Sequence, residues 1–211
     1  MSEFGHDDQD LRPDVLPSAL FYLNLKNFRN GNKPLKPNVL PASLEILDVE
    51  NFTNGGRSLS PNVLPMDLKT LNLGNFTNGN QPLGLNVLPK FLNILYMKNF
   101  QNGNQPLAPN VLPNSLKGLY LEEFQNGNQP LAQNVLPESL KVLQMDNFRN
   151  GNQPLTPKVL PNSLVELNLN NFKNGDQPIT ANMLPKSLKI IRAGYFRSGF
   201  EGLPSTISIY P

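Results

Sequence analysis

The sequence contains no cysteine, no tryptophan and a single histidine, His6. The first absence removes disulfide scaffolds, thiolate metal sites and thiol nucleophiles together. The lone histidine leaves imidazole acid–base chemistry almost nothing to work with. Charge is sparse as well: 18 Lys plus Arg against 16 Asp plus Glu leave a formal +2 over 211 residues. No broad basic field is available to hold a polyanion by counterion release, so nucleic acid is not expected as a partner. No apolar run approaches the roughly 18–20 residues that span a bilayer, and the first twenty residues lack a signal-peptide core. The expectation is a cytoplasmic protein without membrane contact. What the chain does have is 21 Pro and 15 Gly.

These residues are distributed periodically. Leu-Pro recurs at Leu16, Leu40, Leu64, Leu88, Leu112, Leu136, Leu160 and Leu184, always 24 residues apart. Phe28, Phe52, Phe76, Phe100, Phe124, Phe148, Phe172 and Phe196 keep the same spacing. One period earlier stands Phe4, with Leu11 and Pro13 where later units carry Leu35 and Pro37. At the other end Leu203-Pro204 follows Phe196 after 7 residues instead of 12, with Ile207, Ile209 and Tyr210 suggesting a terminal strand. The organisation expected is a partial N-terminal repeat or cap over 1–15, eight strand-bearing repeats over 16–195, and a shortened C-terminal repeat or cap over 196–211.

Within a unit, Leu119 and Leu121 alternate with Gly118, Tyr120 and Glu122, the period of a strand with one buried face. Asn126-Gly127 then offers the pair that most readily accepts positive φ, so the chain turns there. Pro130 and its equivalents fix φ and withhold an amide. No stretch of about 10 residues has helical spacing free of Pro and Gly, so the return leg is expected to be extended or polyproline-like, not α-helical. A single unit buries too little to offset its ordering entropy, but stacked units bury a continuous Leu, Val and Phe core. The fold class is therefore a β-rich solenoid with one short parallel strand per 24-residue unit.

Leu116, Leu119 and Leu121 spell Leu-x-x-Leu-x-Leu, which resembles the strand signature of leucine-rich repeats and implies a right-handed coil of that type. The usual Asn at the ninth position is replaced by Phe124 and its equivalents. More specifically, Phe-x-Asn-x-x-Gln-Pro-Leu followed by Val-Leu-Pro-x-Ser-Leu-Lys, as in Phe100 to Lys117, resembles the FNIP repeat. A unit of 24 residues departs from the roughly 22 usual for that family, the extra pair falling at Asn-Gly. The resemblance implies a protein-interaction surface, and it implies the ubiquitin pathway as one context, because several FNIP arrays are fused to an F-box. With repeats starting at Phe4, no F-box is expected within these residues, so the chain either acts without one or is part of something larger.

Positions identical in every turn are expected to be structural. Among the recurring positions, Asn38, Asn62, Asn86, Asn110, Asn134 and Asn182 are expected to form a hydrogen-bonded ladder between coils. The repeated Asn-Gly-Asn invites comparison with calcium-binding repeats, but calcium needs several carboxylates and Asp176 is nearly alone. His6-Asp7-Asp8-Gln9-Asp10 reads as a solvated tail. No metal and no cofactor are expected.

Positions that change between turns lie on the outward strand face, which a leucine-rich solenoid presents as its concave side. There Tyr96 and Tyr120 are expected to be adjacent, flanked by Ile94 and Val142, with Lys98, Glu122 and Asp146 along one margin. Aromatic anchors on an apolar floor with a charged rim have the composition of a binding hot spot. The candidate partner-binding residues are Tyr22, Ile94, Tyr96, Lys98, Tyr120, Glu122, Gln144 and Asp146. Phe91 and Leu85 stand where other units carry small or polar residues or Pro, and suggest an exposed apolar spot, a dimer contact or a local repacking. The function expected is a non-enzymatic module binding a protein on the variable face, as a monomer or with weak self-association. The alternatives are self-assembly through the sheet ends, near Leu20–Leu25, and carbohydrate binding; for hydrolysis the only carboxylate pair to consider is Glu122 with Asp146.

Overall fold

A computed structural model describes residues 10–211. Short strands recur once per period: β1 (Tyr22–Asn24), β2 (Ile46–Asp48), β3 (Thr70–Asn72), β4 (Ile94–Tyr96), β5 (Gly118–Tyr120), β6 (Val142–Gln144) and β7 (Glu166–Asn168). After β7 come β8 (Ile179–Thr180), β9 (Ile190–Arg192), β10 (Phe200–Glu201) and β11 (Ser208–Tyr210). All but β8 and β10 form one nine-stranded parallel sheet in the order β1-β2-β3-β4-β5-β6-β7-β9-β11. Equivalent residues pair across it without slippage, for example Tyr96 with Tyr120 and Tyr120 with Gln144. The return legs hold no α-helix among the described residues, only turns and four short 3-10 segments. The chain is thus the expected parallel-strand β-solenoid.

Each coil turns its inward strand leucine, the Phe after the strand and the Val-Leu of the return leg into one core. Leu119, Leu121 and Phe124 are fully buried, and Val135 and Leu136 nearly so. From Phe28 to Phe172 successive rings stack with centroids 6.0–6.4 Å apart and planes within 8–25°. That row fills the corner where the strand bends into the return leg. Before each Phe the backbone enters the left-handed region, at Asn27, Asn51, Asn75, Asn99, Asn147 and Asn171, a conformation asparagine tolerates better than most residues.

The polar bridge between coils is built from a different asparagine column than the spacing suggested. Asn38, Asn62, Asn86, Asn110 and Asn134 are exposed and take φ of 61–65° at surface turns, and Asn182 is exposed in the 3-10 segment Ala181–Met183. They do not form the ladder. The bridge comes instead from the first residue of Asn-Gly: Asn30, Asn54, Asn78, Asn102, Asn126, Asn150 and Asn174, each at most 3% exposed. In the central coil the Asn126 side-chain oxygen accepts the Leu107 N–H of the preceding coil at 2.8 Å. Its amide nitrogen donates to the Gln129 carbonyl at 3.0 Å and the Pro130 carbonyl at 3.3 Å. A buried amide able to give and accept at once suits a site where one N–H and one turn carbonyl both lack partners. Gly127, at φ 57°, packs so closely that a Cβ would lie 2.5 Å from the Asn104 carbonyl oxygen.

A further column ties the other side of the coil. The Ser115, Ser139, Ser163 and Ser187 hydroxyls donate to the carbonyls of Leu92, Leu116, Leu140 and Leu164 one coil back, at 2.6–2.7 Å. At the C-terminal end the bridge changes its chemistry. One period after Asn174 stands Ser198, and the Ile179 N–H is met by the backbone carbonyl of Gly199 at 3.0 Å. The shortened unit brings β10 alongside β8 for this. At the other end Leu11 is buried and donates its N–H to Asn30, as a repeat leucine should, and Asp10 pairs with Lys33 at 3.1 Å. Phe4 and the His6–Gln9 segment lie outside the described residues.

The two asparagine columns therefore respond differently to substitution. Asn126→Ala orphans buried backbone groups and is expected to cost about 2–3 kcal/mol. Asn134→Gly keeps a surface residue at positive φ and is expected to change stability by less than about 0.5 kcal/mol. Urea unfolding of both variants measures the contrast; equal losses would remove the structural distinction.

Candidate functional site

The outward strand face is where the coils differ. Some of its residues are nevertheless structural, which alternation along the strand does not reveal. The side-chain oxygens of Asn24, Asp48, Asn72 and Asn168 accept the N–H two residues on, from Lys26, Glu50, Gly74 and Asn170, at 2.8–3.0 Å. Such a short-range bond satisfies the backbone where the strand ends. In the three consecutive central coils that position is given to Tyr96, Tyr120 and Gln144. A tyrosine cannot reach back to make this bond, so these coils exchange a backbone anchor for a side chain directed elsewhere.

Tyr96 and Tyr120 stack with ring centroids 4.4 Å apart and planes at 24°. The residue beneath explains how. A Cβ on Gly118 would meet the Tyr120 Cε2 at 3.3 Å, and Gly118 is buried although it points outward by alternation. The glycine is a floor across which the Tyr120 ring lies. Ile94 and Val142, half-buried in β4 and β6, flank it. Gln144 continues the row in β6, and the half-buried Glu122 and Asp146 follow the ends of β5 and β6. Of the expected residues, the sheet thus collects Ile94, Tyr96, Lys98, Tyr120, Glu122, Gln144 and Asp146. Tyr22 is apart: β1 lies three strands from β4, about 14 Å at the usual spacing.

Charge on this rim is unevenly compensated. Burial raises the Glu122 carboxyl above its ordinary range, helped by Asp146 and Glu123, while Lys98 opposes the shift. Burial likewise raises Asp146, against a lowering hydrogen bond from Asn170. Burial also holds the Tyr120 hydroxyl protonated above the usual phenol value, with Tyr96, Glu166 and Glu122 reinforcing it. Lys98, the nearby cation, is drawn to Glu123 at 3.7 Å. Glu123 takes φ 59° where six other coils use Asn.

Elsewhere, Phe91 and Leu85 are exposed, at 44% and 59%. Phe91 displaces the serine that ties adjacent coils, and its ring is flanked by Lys90 at 4.8 Å and Lys69 at 5.3 Å. An open groove of about 590 Å³, lined by Pro34, Lys36, Arg57, Ser58 and Gln81, lies on the turn side. Ser58 stands there where neighbouring coils carry Pro34 and Pro82. Among the described residues no cluster of three or more His, Asp or Glu side chains could hold a metal ion, and no helix is long and apolar enough to cross a membrane.

Two predictions test this rim. For a carboxyl whose folded pKa lies above its unfolded value, the native state binds more protons in the window between them. Stability therefore falls as pH rises through that window and stays reduced above it. Glu122→Gln and Asp146→Asn are accordingly expected to stabilise the fold at neutral pH by about 1 kcal/mol or less, since both sites are partly solvated, with the gain vanishing toward pH 4. Denaturation at several pH values reads this, and a constant difference would contradict it. Glu123→Asn, which relieves a left-handed backbone, is expected to add about 1 kcal/mol in the same measurement.

The FNIP Repeat family matches residues 6–52, 32–76, 80–124, 128–172 and 152–196, nearly the whole array. No curated protein matches the chain significantly. A similar solved structure is that of CroV588, described as a novel circular LRR protein, with a TM-score of 0.54 and 29% identity. The alignment covers 97% of this chain and 35% of CroV588, so the chain spans about a third of that protein's length. Repeat proteins of this fold are generally interaction modules and scaffolds. With matched repeats, their period and their stacking in agreement, the chain belongs to the FNIP-repeat family.

Proposed function

We propose that the chain is a non-enzymatic interaction module that holds a protein partner on the outward face of its nine-stranded sheet. The observation that carries this is the stacked Tyr96–Tyr120 pair at the middle of the sheet, with Tyr120 lying on Gly118 and Ile94 and Val142 on either side. Interface hot spots favour tyrosine in well-packed central positions with a polar rim. The pair also stands where other coils anchor their own backbone, a substitution that internal packing does not require. Glu122 and Asp146 are like-charged neighbours, an arrangement that serves recognition without implying an acid–base reaction.

A second reading, self-assembly through the sheet ends, is favoured by the outermost places of β1 and β11 in the sheet among the described residues and by exposed Ile209 (48%) and Tyr210 (47%). Affinity capture from lysate, comparing wild type with Tyr96→Ala/Tyr120→Ala, separates the two. Loss of a captured protein in the double variant supports the tyrosine face. Capture unchanged by the double variant, or recovery of copies of this chain alone, moves the function to the ends.

A further inference from the structure

We propose that the segment held on this face presents an arginine or lysine, laid against the Tyr96–Tyr120 pair with its charge toward Glu122 and Asp146. This rests on the preceding reading and gives the partner a chemistry.

The argument is one of charge complementarity. Two acids on the sheet face are neutralised in place: Glu50 by Lys26 at 2.8 Å and Glu166 by Arg192 at 2.8 Å. Asp48, in β2, is occupied by the Glu50 N–H, and the acids left without a cation at the centre of the sheet are Glu122 and Asp146. Neither Glu122 nor Asp146 is ion-paired among the described residues, and Lys98 is engaged by Glu123. The chain as a whole carries +2, so this negative surplus belongs to the face and not to the composition. Burial holds both carboxyls above their usual range, with Asp146 adding to the shift at Glu122, so an incoming cation would stabilise their charged forms.

The aromatic surface selects the same guest. A cation near a tyrosine ring is attracted by the quadrupole of the ring, more strongly when partly desolvated. The chain satisfies other aromatics in this way: Lys90 and Lys69 over Phe91, and Arg192 over Tyr210 at 5.7 Å. Among the described residues no cation occupies the Tyr96–Tyr120 pair. Ile94 and Val142 then provide apolar contact for the residues flanking the cation or for its own methylene stem.

Panning a displayed library of short random peptides on the full chain tests this. The expected result is enrichment of Arg or Lys next to Leu or aromatic residues. Selected peptides should weaken about tenfold or more toward both Tyr96→Ala/Tyr120→Ala and Glu122→Gln/Asp146→Asn. Replacing the enriched arginine by neutral citrulline, or lysine by its acetylated form, should cost as much, and that change leaves the folding of the chain untouched. Peptides that need the tyrosines but are neutral or acidic, or ignore the carboxylate variant, would overturn the cation while leaving the face as the binding surface. Peptides indifferent to the tyrosine variant, or no enrichment at all, would overturn both.

Discussion

A single kind of bond makes the stack possible. Each coil buries an asparagine amide that accepts an N–H from the coil before it and donates to carbonyls of its own turn. Without it, the bend from strand corner to return leg would leave one donor and one acceptor facing an apolar interior, and each would cost more than a surface hydrogen bond returns. The other regularities follow. Gly127 and its equivalents are small because the bridge pulls successive turns to within contact of each other's carbonyls. The Phe row keeps a constant spacing because the amide bridges and strand ladder share one repeat. At the shortened end a main-chain carbonyl, Gly199, takes the same role.

With cohesion supplied from inside and from the turns, the outward strand positions are only partly constrained. Asn24, Asp48, Asn72 and Asn168 still serve the backbone. Tyr96, Tyr120 and Gln144 do not. The difference separates a sheet face that is merely wet from one whose centre has been given over to large, half-buried side chains. Gly118 belongs to that centre as much as the tyrosines do, because any larger residue would lift the Tyr120 ring.

Much of the fold was legible because the period is constant at 24 residues: one aligned column of leucines is enough to place a strand, and a second of phenylalanines confirms it. The identity of the bridging asparagine was not legible. The Asn126 column is unbroken from Asn30 to Asn174 while Lys158 interrupts that of Asn134, but one break does not tell which column is buried, and both sit near turns. What distinguishes them is depth, 1% exposure for Asn126 against an exposed Asn134, and depth depends on how one coil rests on the next. For the candidate site, the adjacency of Tyr96 and Tyr120 followed directly from register. The floor role of Gly118 and the local anchoring by Asn72 did not, since strand alternation assigns a face and says nothing of where a ring or an amide leans. Tyr22 shares the column of Ile94 and Gly118, and distance along the sheet separates it from the tyrosine pair.

The asparagine bridge also has a direction. The Leu107 N–H is satisfied by Asn126, a residue 19 positions later in the chain, and the same offset holds at Leu83, Leu131 and Leu155. This bridge always runs from a coil to its successor, whereas strand-start N–H groups such as those of Lys117 and Gly118 are met by a carbonyl of the coil before, Asn93. On a ribosome, where the N-terminal part emerges first, the nascent solenoid always carries one unfinished coil at its growing end, and closes it only when the next asparagine leaves the exit tunnel.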